Sequence, residues 1–232
     1  MTRKIGLAAI CLILSTSALA QGTLLGAGLR SRPDYDGSSK QVTDVVPVIR
    51  YYGERWFART TQGILEGGMR AALDKDLWAG AQLAYEAEFD HPAVDAPVGV
   101  SAGLHLEWDR YFGRVPATFL LRARQHLDTS LGGQADLRVT AGLLSRWGLL
   151  AVAFGQATWG TENAVASRYG ARDSGLLFTS FGLLGSYDLS RRWLLVGSVE
   201  LRQLYDAARE SAVAEKSSGY YAMFGLAYRF PR

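Results

Sequence analysis

The sequence predicts an all-β protein: an antiparallel up-and-down transmembrane β-barrel of about twelve strands, following a cleaved signal peptide. Three observations predict it. Apolar and polar residues alternate with period two over segments long enough to cross a bilayer, the connections between those segments alternate long and short, and aromatic residues gather near the short ones.

The chain opens with a secretory pattern. Arg3 and Lys4 form a positive n-region, Ile5 to Leu14 an apolar h-region, and Ala18-Leu19-Ala20 places small residues ahead of Gln21. Cleavage is expected between Ala20 and Gln21, leaving one outer-membrane β-barrel domain over residues 21–232. The apolar run is about ten residues, half of the roughly twenty that a membrane-spanning helix needs. Cys11, the one cysteine, lies inside the h-region and leaves with it. It cannot become a lipidated first residue, and the mature chain has no cysteine for a disulfide, thiolate metal site or nucleophile. The full chain carries 25 basic and 22 acidic residues; loss of Arg3 and Lys4 leaves 23 against 22, with no basic patch suited to nucleic acid.

Strands are expected at 24–31, 43–52, 55–62, 64–73, 76–88, 98–110, 114–126, 134–147, 149–160, 176–188, 192–204 and 219–230. The clearest places Val98, Val100, Ala102, Leu104, Leu106 and Trp108 on one face, against Gly99, Ser101, Gly103, His105, Glu107 and Asp109. A helix would mix charged and apolar residues on every face of that window. The segment at 76–88 repeats the split with Trp78 alone on the polar side, and Gly63, Gly67 and Gly68 blur the third and fourth strands. Short connections fall at 53–54, 74–75, 111–113, 148 and 189–191, long ones at 32–42, 89–97, 127–133, 161–175 and 205–218. This is the rhythm of tight periplasmic turns and extended outer loops, with both termini on the periplasmic side. The join between the third and fourth strands breaks it. Trp56, Trp78, Trp108, Trp147 and Trp193, with Tyr51, Tyr52, Tyr111, Phe112, Tyr187 and Phe230, are expected to form an aromatic girdle at the short-turn end, and Trp159 falls at the other end.

The polar face carries Glu86, Glu88, His105, Glu107, Arg122, Arg124, Asp136, Arg138, Glu200 and Arg202. Acidic residues lead in the fifth and sixth strands, basic ones in the seventh and eighth. Enclosed in a lumen, such charges either pair into a plug that braces the barrel or line a narrow polar channel. His126 with Asp128, Thr129 and Ser130 offers hydrolase-type residues, but no Gly-x-Ser-x-Gly elbow accompanies them. His91 and His105 lack partners at metal-ligand spacing, and phosphate-loop and dinucleotide motifs are absent. No catalytic, metal or cofactor site is therefore expected.

Several short motifs run in order along the chain. Gly26-Ala27-Gly28-Leu29 leads into Pro33-Asp34-Tyr35-Asp36-Gly37-Ser38; Val46-Pro47-Val48-Ile49-Arg50-Tyr51 follows; Ser167-Arg168-Tyr169-Gly170 precedes Ser174-Gly175; and Leu204-Tyr205-Asp206-Ala207-Ala208 runs on through Ser211 to Glu215, ahead of a closing aromatic strand. In this order the chain resembles the MipA/OmpV family of MltA-interacting outer-membrane proteins. Pro33, Tyr35, Gly37, Ser38, Asp206, Ala207 and Ser211 are the positions that match the family motifs. Two departures stand out: Ala212 where the family often has proline, and the ending Phe230-Pro231-Arg232 where outer-membrane proteins usually finish on the aromatic residue. The resemblance implies a non-enzymatic scaffold in the Gram-negative outer membrane, with membrane lipid around it and a murein hydrolase and a murein synthase as partners. The charged polar face leaves a small-solute pore as the alternative.

Overall fold

The computed structural model describes residues 22–61, 63–86, 89–91, 94–96 and 99–231. The expected cleavage site at Ala20 and Gln21, and Glu88, lie outside the described residues. The wall of the barrel is made of β1 (Leu24–Pro33), β2 (Gln41–Tyr52), β3 (Trp56–Thr61), β4 (Ile64–Asp74), β5 (Leu77–Glu86), β8 (Gly99–Phe112), β9 (Val115–His126), β10 (Gly133–Arg146), β11 (Leu149–Gly160), β12 (Gly175–Asp188), β13 (Trp193–Leu204) and β14 (Ser218–Arg229). Each pairs antiparallel with its neighbour, and β1 closes on β14 with Leu24 opposite Arg229 and Ser31 opposite Ala222. All twelve expected strands are present, their ends within about two residues of the sequence reading.

The long connections hold structure that no periodicity announced. Between β5 and β8 lies a small hairpin, β6 (Phe89–His91) and β7 (Val94–Ala96). A 3₁₀ turn spans Thr129–Leu131, and two short helices follow, α1 (Glu162–Tyr169) and α2 (Asp206–Glu210). These pieces are too brief to show a helical repeat in sequence; burial of Ala164, Val165, Tyr169 and Ala208 holds the two helices.

Period two decides what meets lipid. Leu104, Leu121, Leu183, Val199, Leu201 and Phe224 are exposed on the outside, where hydrocarbon covers them. Trp56, Trp108, Trp147 and Trp193 are exposed near the short-turn end, as the girdle requires. Tyr52 and Trp78, both expected there, are not in it. Tyr52 follows the outward Tyr51 by one residue and so faces inward, where it stacks on Phe57 with ring centroids 6.2 Å apart. Trp78, on the polar face of β5, also faces the lumen and packs on Arg70, whose guanidinium lies 4.5 Å from the Trp78 ring centre and 4.7 Å from that of Tyr52. Alternation outranks nearness to a turn, because a one-residue offset reverses the side a side chain points to.

The irregular join between β3 and β4 leaves a mark on the wall. β3 pairs with β2 only at Arg50–Arg59, Tyr51–Ala58 and Tyr52–Phe57. Among the described residues, β2 from Gln41 to Ile49 therefore has a ladder partner on the β1 side alone. Pro47 sits in this stretch, opposite Ala27 of β1, at a place where an edge strand tolerates a residue with no N–H to give. At the β10–β11 turn, Trp147 and Gly148 both take positive φ, 53° and 76°, the geometry of a two-residue hairpin turn that follows the strand twist.

Candidate functional site

The inward residues at mid-height form one connected set of ion pairs. Glu66 of β4, 0% exposed, accepts from Arg59 Nε at 2.8 Å, from Arg122 Nη1, and from Gln82 Nε2 at 3.4 Å. Arg122 also meets Asp136 at 2.7 Å, and Asp136 accepts from Thr158 Oγ1 at 2.8 Å and lies 3.5 Å from Arg124. Arg124 pairs with Glu86, whose other oxygen lies 2.8 Å from Arg168 of α1. Arg59 lies 3.6 Å from Glu107 and donates to the Tyr52 hydroxyl at 3.1 Å.

The contact between Arg122 and Glu66 bridges two strands that are not neighbours. β4 and β9 are three places apart in the barrel order, roughly 14 Å along the wall at one strand spacing each. A water-filled bore would leave the central carboxylates touching solvent; Glu66 and Asp136 are buried instead. Each has lost its hydration shell and regained partners from guanidinium donors, which is how buried charge becomes tolerable. Arg138 stacks over Phe154, 4.0 Å from the ring centre, and His105 meets Phe57 edge-on at 5.2 Å. Toward the short-turn end a small apolar cluster lies inside, with Leu24, Leu194 and Ala227 packed together and backed by Val48 and Val196.

The long-loop end is capped by two motif segments far apart in sequence. In the first, Gly37 takes φ 98°, and its carbonyl accepts from Lys216 N at 2.9 Å. Tyr35 donates to Val213 O at 3.1 Å and approaches Glu215 Oε1 at 3.3 Å, and Ser38 Oγ accepts from Lys40 N at 3.1 Å. Burial and the neighbouring Glu215 carboxylate raise the Tyr35 phenol above its ordinary pKa, so it stays a donor. Pro33 is buried at the foot of this loop. In the second segment, the Asp206 carboxylate accepts from Leu176 N at 3.1 Å, and Ser211 Oγ donates to Tyr169 O at 2.5 Å. Ala207 packs against a buried cluster of Val165, Tyr169, Leu177, Phe178, Leu204 and Ala208. Asp36 joins cap to lumen: it meets Arg202 at 2.7 Å and accepts from the Tyr221 hydroxyl, while Arg202 also holds Glu200 at 3.0 Å.

The structure places Glu86, His105, Glu107, Arg122, Arg124, Arg138, Glu200 and Arg202 inside the barrel. The sequence reading did not place Glu66, Arg59, Asp36 or Arg168 among the interior charges. Glu66 and Arg59 do alternate with Leu65 and Ala58, but the neighbouring glycines hid the pattern. Asp36 and Arg168 come from loops, which have no face to read. His126 lies 3.5 Å from Arg168, while Asp128 turns to cap the 3₁₀ turn and accepts from Ser130 N at 3.0 Å and Ser130 Oγ at 2.6 Å. The hydroxyl beside the histidine is therefore engaged in local turn chemistry.

A closed twelve-strand antiparallel barrel with a lipid-facing apolar exterior defines the class: this is an outer-membrane β-barrel. The chain belongs to the family described as MltA-interacting protein MipA, whose model matches residues 25–230. Among solved structures, it is similar to an outer-membrane channel from Pseudomonas putida F1, at 13% identity and TM-score 0.55, covering 90% of this chain and 96% of that one. It is also similar to the NanC porin, at 9% identity and TM-score 0.56, covering 90% of this chain and 100% of that one. At these identities the likeness is one of fold. No match was found among curated proteins.

Proposed function

We propose that this barrel is a non-enzymatic scaffold of the outer membrane for the machinery that hydrolyses and synthesises murein. The observation that carries the proposal is the buried ion-pair network inside the lumen, which favours a bracing role over passage of solute. The family's name points to a partner of MltA type, and on this reading the partners are a murein hydrolase joined to a murein synthase. Export through the periplasm precedes insertion on this reading. The short-turn end then faces the murein layer. That end exposes Arg55, Lys75, Arg110, Arg114, Arg191 and Arg192 against Glu54, Asp74 and Asp188, a basic rim suited to an acidic partner surface.

A second reading, a narrow small-solute pore, draws on the channel and porin similarities and on the polar residues of the lumen. The two part in one experiment. Folded protein is added to planar bilayers, and its binding to purified murein transglycosylase and synthase is measured alongside. A scaffold gives binding without conductance steps; reproducible steps with no binding to either enzyme sink the scaffold reading in favour of the pore.

A further inference from the structure

We propose that the cavity beneath the outer cap is a binding site for a phosphate-type oxyanion, a role independent of the scaffold reading. The cavity measures about 100 Å³ and lies between the ion-pair network and the cap. At about 15 Å³ for each water position it has room for roughly seven, comfortably more than one small anion requires.

Its lining is dominated by donors. Arg30, Arg32, Arg122, Arg124, Arg168 and Arg202 all border it, against three carboxylates, Asp36, Glu86 and Asp136. Three more carboxylates balance the charge from behind without lining the space: Asp44 holds Arg30 and Arg32, Glu66 holds Arg122, and Glu200 holds Arg202. The acids thus fix the guanidinium groups in place and leave the cavity wall rich in N–H. Arginine offers five N–H donors and no acceptor.

Two guanidinium nitrogens on these lining residues have no hydrogen-bond partner. Arg124 Nε and Arg168 Nη1 are buried and unbonded, on side chains 5% and 14% exposed. Both guanidinium groups are held by the same carboxylate, Glu86, so their orientation is set before any ligand arrives. Water brings as many donors as acceptors into such a space. A phosphate brings mainly acceptors, and guanidinium forks match its oxygens geometrically. The cavity also touches Gly63 and Ile64, beside the stretch of β2 that lacks a β3 partner. A phosphate could therefore arrive free from the mouth, or on a lipid headgroup from the wall.

The test uses the full chain folded in a detergent that carries no phosphate. Each variant is first checked for the barrel's band shift between boiled and unboiled gel samples. Inorganic phosphate is titrated by calorimetry into wild type, Arg168→Gln on the cap, and Arg50→Gln, which lies inward near the short-turn end and outside the cavity lining. One saturable site, weakened at least tenfold by Arg168→Gln and unchanged by Arg50→Gln, is the expected result for free phosphate. Where wild type takes up no added phosphate, native mass spectrometry is expected to find a phosphate-bearing lipid retained by wild type and lost from Arg168→Gln, which identifies the headgroup as the source. Neither phosphate binding nor a retained lipid overturns the proposal. So does an equal effect of the two substitutions, which would report general charge rather than a site.

Discussion

Replacing Glu66 by glutamine removes one negative charge from the point where Arg59, Arg122 and Gln82 converge, with almost no change of shape. Removing one partner of a buried ion pair costs about 3–5 kcal/mol, because the remaining charge stays desolvated. Here the loss is partly offset. Arg122 keeps Asp136 at 2.7 Å, and Arg59 keeps the Tyr52 hydroxyl at 3.1 Å. The lower end applies, about 3 kcal/mol, or a fall of roughly 150-fold in the folded-to-unfolded ratio. Unfolding in urea, followed by tryptophan fluorescence and by the unboiled gel band, measures this directly. Asp188→Asn is the control. It breaks the half-exposed pair with Arg229, 2.7 Å long, and an exposed pair is worth less than about 1 kcal/mol. If Glu66→Gln costs no more than Asp188→Asn, the lumen charges are solvated, and the plug that supports the scaffold reading does not exist.

Three further outcomes are expected. Trp147→Asn should raise stability by about 1 kcal/mol, because a bulky residue at φ 53° is strained where asparagine is not; its side chain is 80% exposed, so chemical denaturation reports mostly the turn, and a loss of stability would assign the Trp147 ring a larger role in anchoring to lipid. Tyr35→Phe removes the hydrogen bond to Val213 O and should cost about 1 kcal/mol of cap stability, read as faster hydrogen exchange at Lys216 N while the strand amides stay protected. The Tyr35 phenol has its pKa raised in the folded state, so its contribution is complete below the ordinary tyrosine value near about 10 and is lost as pH rises through the higher folded one. Cap protection in wild type should therefore fall in that alkaline window, and Tyr35→Phe should show a shallower fall; identical profiles would refute this role of the Tyr35 hydroxyl.

The strands were legible because a membrane barrel imposes one rule at every position. Outward residues meet hydrocarbon and inward ones meet a polar interior, so Leu104 and His105 of β8, or Leu121 and Arg122 of β9, declare their sides by chemistry alone. That rule also announced Arg122, Arg124, Glu200 and Arg202 as interior residues. It failed where the chemistry of the side chain and the side it faces disagree: Tyr52 and Trp78 read as girdle residues, yet they are inward and pack on Arg70. It was silent at Glu66, beside Gly67 and Gly68, where one face carries no side chains to compare.

By itself, then, the sequence determined the barrel, its strand count, its lipid-facing surface and a charged interior, because each depends on a residue and its near neighbours along one strand. Only the tertiary structure decided which charges meet. Arg122 reaches Glu66 across 56 positions, Arg202 reaches Asp36 across 166, and Tyr35 meets Val213 across 178. Those partners are set by closure of β1 on β14 and by the way the loops fold back over the mouth. Alternation tells a side chain which way to point; closure of the barrel determines what it finds there.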